Sequence, residues 1–215
     1  MTDTNYTQAP KFEAATTVDE TISSIKADLR AAMNGVAAKS LRESGTAYRL
    51  VYGVELPRLR SIAADYEPDR RLALALWNDN IRETRMLAVM LFPAEEFDDD
   101  VADIWAESLR RDESDLAGLL VMDLVAKAPY AVEKAFQWMA ADAEVLQLCG
   151  FLTMARLFMR GAQLAPHAED EFLDQVSAAL STGYLPLKKA ATNALLHYAG
   201  TSDEAHDNTN RILCI

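Results

Sequence analysis

Apolar residues recur along this chain at steps of three and four, in one stretch after another, and short polar breaks separate the stretches. That period is the helical one, and little else satisfies it. Thr17-Val18-Asp19-Glu20 has the form of a capping box, in which Thr and Glu exchange hydrogen bonds across the first turn. It opens a stretch with Ile22, Ile25, Leu29, Ala32 and Met33 on one face. The pattern breaks at Gly53. Pro57 then suits a first helical turn, where its missing N–H costs nothing, ahead of Leu59, Ile62, Ala63 and Tyr66. Pro68 precedes a further stretch through Leu72, Leu74, Ala75, Leu76 and Trp77. Asn80 with Glu83 reads as another cap, before Met86, Leu87, Val89, Met90 and Leu91, and Pro93 closes that helix.

The second half has the same habit. Asp98, Asp99 and Asp100 suit the positive end of a helix carrying Val101, Ile104, Trp105 and Leu109. Leu116 to Leu124 follows, then Val132 to Met139, and then Val145 to Met159, which is apolar nearly all round and belongs in the middle of a stack. Pro166 introduces an acidic helix with Phe172, Val176 and Leu180. Leu187, Ala190, Ala191, Ala194, Leu195 and Tyr198 mark one more. No alternating stretch is long enough for a strand. Eight Gly and seven Pro in 215 residues are also few for a chain of many tight turns.

The fold expected is therefore all-α. About ten helices joined by short loops make pairs of about 40 residues, the period of HEAT-like arrays, in which antiparallel helix pairs stack into an α-solenoid. No fixed sequence repeat is visible, and a globular helical bundle is the alternative. Residues 1–16 read as a flexible polar segment, 17–200 as the helical array and 201–215 as a polar tail. Within that tail Thr201 to Asn210 reads as a mobile linker, and Ile212 to Ile215 as a short end that docks or frays.

Charge separates the chain into two parts. Residues 1–91 hold 12 acids and 12 bases, whereas 92–215 hold 21 acids and nine bases and carry the whole net charge of −12. An acidic surface keeps a protein in solution, suits basic partners and opposes phosphate backbones. The first 16 residues lack the apolar core of a secretory signal, and no run is long enough to span a membrane. Cys149 and Cys214 cannot make a disulfide framework, and Cys149 reads as core. A cytoplasmic protein without membrane contact is expected.

Motifs of chemistry are scarce. His167, His197 and His206 are scattered without ligand spacing, so neither a metal nor a cofactor is expected. There is no glycine-rich phosphate loop and no nucleophile elbow. Asp98 to Asp100 is an acidic helix cap sooner than a cation site. Lys188-Lys189, together with Arg156 and Arg160 one turn apart, are basic clusters of the second half that suit either ion pairs or anion contacts.

The run Tyr52-Gly53-Val54-Glu55-Leu56-Pro57-Arg58-Leu59-Arg60-Ser61-Ile62-Ala63 resembles the entry motif of the AlkD-like DNA alkylation repair family. Ala75-Leu76-Trp77 and Arg82-Glu83-Thr84-Arg85-Met86-Leu87-Ala88 are similar to it as well. The likeness runs over roughly residues 48–200, is strong to about 91, and keeps register beyond through Asp123-Leu124-Val125 and Leu187-Lys188-Lys189-Ala190. It implies a HEAT-like repeat solenoid, in a family that includes glycosylases excising positively charged alkylpurines.

The resemblance also implies a Trp-Asp-x-x-Asp segment in active members, whose second Asp stabilises positive charge on the sugar. Here Met122 falls at that Trp, Asp123 at the first Asp and Ala126 at the catalytic acid. Anchored instead on Ala128-Pro129, the acid's position goes to Val125. A second family Trp falls at Asn193 and a cleft Arg at Leu148. Excision needs a carboxylate at the developing oxocarbenium ion and a groove that holds phosphates. With neither in view, Asp123 is the one nearby candidate acid. The expected function is a non-catalytic HEAT-like scaffold that binds a protein or other basic macromolecule on its concave face. Met122, Leu148, Arg156, Arg160, Lys188, Lys189 and Asn193 are the candidate contacts. A DNA-binding alkylpurine glycosylase with a rearranged site is the alternative.

Overall fold

The computed structural model describes residues 17–213; the segment 1–16, read as flexible, lies outside them, as do Cys214 and Ile215. Among the described residues there are twelve α-helices, two short 3-10 turns, one isolated bridge between Leu50 and Ile81, and no strand. The contacts divide the chain into two units, one ending at Phe92 and the other beginning at Pro93. No helix among the described residues is long and apolar enough to cross a membrane.

The first unit holds α1 (Val18–Ala31), α2 (Gly35–Glu43), α3 (Leu56–Ala63), α4 (Arg70–Trp77) and α5 (Arg82–Leu91). The capping box forms at the head of α1: the Thr17 N–H donates to the Glu20 carboxylate at 2.9 Å, and the Glu20 N–H to the Thr17 hydroxyl at 3.3 Å. Those donors hold the Glu20 carboxyl below its ordinary pKa. Ile25 and Leu29 carry the buried face. Met33, expected on that face, is 58 % exposed because α1 has already ended at Ala31. Asn34 then caps α2, which buries Ala38 alone and so leaves no apolar period in the sequence.

The cap expected from Asn80 and Glu83 does not form. Ile81 occupies the N-cap of α5 and makes no side-chain cap bond. Glu83 is fully buried and its carboxylate accepts the N–H groups of Tyr52 at 3.0 Å and Gly53 at 2.9 Å. The reason is local. Val51 to Val54, between α2 and α3, are buried but irregular, so their N–H groups need acceptors that no helix supplies. Gly53 sits at φ +73, and a Cβ there would lie 2.4 Å from the Asn34 carbonyl oxygen and 2.5 Å from the Ala38 nitrogen. Only glycine fits that crossing. Nearby, the Arg85 guanidinium lies over the Trp77 ring, 4.2 Å from its centroid, where α4 and α5 pack together.

The second unit holds α6 (Asp99–Glu107), α7 (Ser114–Asp123), α8 (Ala131–Met139), α9 (Glu144–Met159), α10 (Pro166–Leu180), α11 (Leu185–Ala199) and α12 (Asp203–Leu213). Asp98 caps α6 by accepting the Val101 N–H at 2.9 Å, so the acidic run is a helix start. Asp103 on α6 accepts from the Lys134 ammonium and the Trp138 indole, each at 2.8 Å, and ties α6 to α8. The apolar helix α9 is central, packing on α6, α7, α8 and α11. Gly150 permits the approach of α8, since a Cβ there would stand 2.8 Å from the Ala135 oxygen and the Met139 nitrogen. Phe158, Phe172 and Tyr198 meet between α9, α10 and α11 at centroid distances of 5.1 to 5.7 Å.

Thr201 to Asn210 corrects the expectation of a linker. Residues 203–213 form α12, which rests on α11 through fully buried Ala205 and nearly buried Thr209. The Asn208 amide donates to the Tyr198 hydroxyl at 3.2 Å, and that hydroxyl donates to Glu169 on α10. Two small residues four apart make too faint an apolar period to read in a polar stretch.

Candidate functional site

Leu185, Lys188, Lys189, Thr192, Asn193 and Leu196 recur at three- and four-residue steps, so they form one stripe along α11. They line an open depression of about 360 Å³. The opposite face, with Leu187, Ala190, Ala191, Ala194 and Leu195, is buried. Lys189 and Asn193 are exposed, and the Thr192 hydroxyl folds back to donate to the Lys188 carbonyl at 2.8 Å.

The start of α11 is anchored. Tyr184, which precedes it, donates its hydroxyl to the Arg111 carbonyl at 2.7 Å, and the Arg111 guanidinium lies 4.6 Å from the Tyr184 ring centroid. Arg111 also pairs with Glu144 at 2.9 Å, and Glu144 accepts the Thr182 hydroxyl. Burial pushes the Tyr184 hydroxyl pKa up, which keeps it a donor. The stripe is thus carried on a helix held at both ends, by this clasp and by Tyr198.

The few bases of this acidic unit are largely spent on internal contacts. Arg110 pairs with Asp112 and Glu113, Arg111 with Glu144, and Lys134 with Asp103. Arg160 donates to the Ala126 carbonyl and Arg211 to Asn208. Lys127, Lys188 and Lys189 make no ion pair with an acid among the described residues; Lys127 and Lys189 are exposed and Lys188 is half-exposed beside the depression.

The segment that the resemblance aligns with a catalytic acid is built differently. Met122 and Asp123 end α7 and are half-buried. Val125 and Ala126 follow in a 3-10 turn, 0 % and 3 % exposed. Either register of the alignment therefore puts a buried aliphatic group at the acid's position. The Arg160 guanidinium closes over the Ala126 carbonyl, which fixes that turn to the end of α9.

Leu148 is 2 % exposed and belongs to the core of α9, which corrects its expected place on a ligand-facing surface. Arg156 is half-exposed farther along the same helix. Of the sequence candidates, Lys188, Lys189 and Asn193 come together at the depression, and Ala126 meets Arg160 elsewhere. Leu185, Thr192 and Leu196 were missed. A signal existed for Leu196, because Leu195 and Leu196 stand about 100° apart on a helix and α11 buries only one of them.

Cys149 is fully buried, and burial pushes its thiol up to about 12, so it supplies no nucleophile. Among the described residues no group of three or more His, Cys, Asp or Glu is placed to hold a metal ion.

The model of a protein family described as "DNA alkylation repair enzyme" matches residues 25–208. A solved structure described as "a new family of proteins related to the HEAT-like repeat DNA glycosylases with affinity for branched DNA structures" is similar, with a TM-score of 0.72. The match covers 88 % of this chain and 80 % of that one at 18 % identity, which assigns a HEAT-like repeat fold. No curated protein matches the sequence significantly.

Proposed function

The chain belongs to the DNA alkylation repair family, and on that premise we propose that it binds branched DNA through the α11 face without excising bases. One observation carries this reading. Lys188 and Lys189, which like Lys127 make no ion pair among the described residues, share one stripe of α11 with Asn193, whereas the position that the resemblance gives the family's acid holds a buried alanine or valine. Phosphate contacts need cations that face outward, and excision needs an anion that faces the sugar. This chain has the first and lacks the second. Affinity for branched DNA is a described property of the similar structure, and it supports the choice of ligand.

The charge distribution sets the character of the binding. Two lysines in an acidic unit neutralise few phosphates, so association is modest and its salt dependence shallow. A protein partner with a basic surface, the first expectation from sequence, has less support, because the exposed stripe is itself basic.

The test has two arms. Alkylated duplex DNA incubated with the full chain should release no base above background, while a four-way junction should bind at micromolar protein. Base release that disappears in Asp123→Asn would contradict the non-catalytic half. Failure to bind any DNA at low salt would contradict the binding half.

A further inference from the structure

The lysines alone do not explain a preference for branched DNA, since phosphates are the same on every duplex. The stripe has two further members at its ends. Leu185 is 58 % exposed and Leu196 is 55 % exposed, whereas Leu187 and Leu195 on the same helix are fully buried. The two leucines are eleven positions apart, about 16 Å along the helix axis. Between them lie Lys188, Lys189, Thr192 and Asn193, around the same open depression. An exposed leucine next to a lysine is ill suited to a linear duplex, which offers phosphates and grooves but hides its base faces in the stack. A branch point offers both. Where its arms are not stacked end to end, each arm exposes the face of a base pair beside a turn of backbone.

We infer that Leu185 and Leu196 are specificity residues that cover exposed base faces at a branch point, while Lys188 and Lys189 hold the phosphates between them. This rests on the DNA-binding function proposed above and adds the part of the ligand that is recognised. Apolar side chains laid on base steps are an established way to favour deformed DNA. The chemistry of the pair also argues against a protein occupant. Stable protein docking covers about 800 Å² on each partner, and two leucines set in a polar stripe supply little of that. A base face asks only for a contact the size of one side chain. Thr192 has turned its hydroxyl proton inward to the Lys188 carbonyl, so Asn193 is the neutral polar group left to meet base edges or sugar.

The full chain would be titrated against a four-way junction, a linear duplex of equal length and a single strand, by fluorescence anisotropy at fixed salt. Wild type, Leu185→Ala with Leu196→Ala, and Lys188→Ala with Lys189→Ala would be compared, with helix content checked by circular dichroism. The leucine double variant should lose about tenfold in junction affinity, the size of the apolar burial lost with two leucine side chains, and keep its affinity for linear duplex. The lysine double variant should lose affinity for both. A 2-aminopurine at the branch point should change its fluorescence on binding wild type and not on binding the leucine variant. If the leucine variant keeps the junction preference, the inference is overturned and DNA binding stands. If wild type binds the single strand as well as the junction, branch-point selection is overturned. If wild type binds no DNA, the proposed function fails and the inference with it.

Discussion

The unit ending at Phe92 and the unit beginning at Pro93 spend their charged and polar residues in opposite ways. In the first, acids and bases balance, and two charged residues that carry the family likeness, Glu83 and Arg85, turn inward while Arg58 and Arg60 stay exposed. Glu83 receives the N–H groups of Tyr52 and Gly53, and Arg85 covers Trp77. In the second, which carries the net negative charge, Lys188, Lys189 and Asn193 lie along the depression on α11. Glu83 and Arg85, recognisable as they are, thus serve the structure. Family membership fixes the scaffold, and the chemistry has to be read from the side chains this chain places on it.

The strongest test of this contrast is Glu83→Ala in the first unit. It leaves two buried N–H groups without an acceptor and should cost about 3 kcal/mol, read as a lower urea midpoint. Asp123→Ala, at the half-buried end of α7, should cost less, about 1 kcal/mol. A mild effect at Glu83 would mean that the motif is not the structural joint described.

Gly150→Ala tests the second unit's own joint. The added methyl meets backbone atoms of α8 that cannot swing aside, and a loss of roughly 2 kcal/mol is expected from overpacking. A neutral result would show that α8 and α9 separate easily and that α9 is less central than the packing indicates.

Smaller in energy, but specific to function, is Lys188→Ala with Lys189→Ala. Thermal stability should be unchanged and junction binding weakened about tenfold, near 1.4 kcal/mol, by the loss of two phosphate contacts. The same pair of changes at Arg58 and Arg60, exposed bases of the first unit, should leave binding unchanged. Equal losses from both pairs would erase the distinction between the units.

The least effect is expected from pH. Tyr66 in the first unit and Tyr198 in the second are each pushed up to about 12 by burial, with hydrogen bonds to Asp28 and Glu169 adding to the rise. A folded pKa above the unfolded value near 10 means stability that is complete below pH 10 and is lost as pH climbs towards 12. Tyr66→Phe and Tyr198→Phe should each flatten that alkaline decline in urea titrations. A decline just as steep in both variants would remove the two tyrosines as its cause.

Much of the fold was legible, for physical reasons. Thr17, Asp98, Pro57 and Pro166 mark helix starts because capping and proline geometry act within a few residues. The apolar girth of α9 betrayed its central place. The similar HEAT-like structure and the family match agree with the array read from helix spacing. What escaped was set by tertiary contact. Glu83 looked like a cap because its spacing from Asn80 fits one, but partners thirty residues away claimed it. α2 and α12 bury only one or two small residues each, so the helical period hardly shows. At the candidate site, Lys188, Lys189 and Asn193 share one stripe of α11, as their helical spacing dictates. Leu185 and Leu196 were not, since an outward leucine looks like a core leucine until the helix is oriented. Leu148 failed in the converse way, placed by alignment on a surface that burial denies it.

Salt dependence of four-way junction binding tests the central claim most directly, because it counts the phosphates that outward-facing cations neutralise. The logarithm of affinity against the logarithm of salt should fall with a slope of about −2 to −3 for wild type. For Lys188→Ala with Lys189→Ala it should become shallower by about 2. An unchanged slope in that variant, or no junction binding by wild type at low salt, would contradict a DNA-binding α11 face.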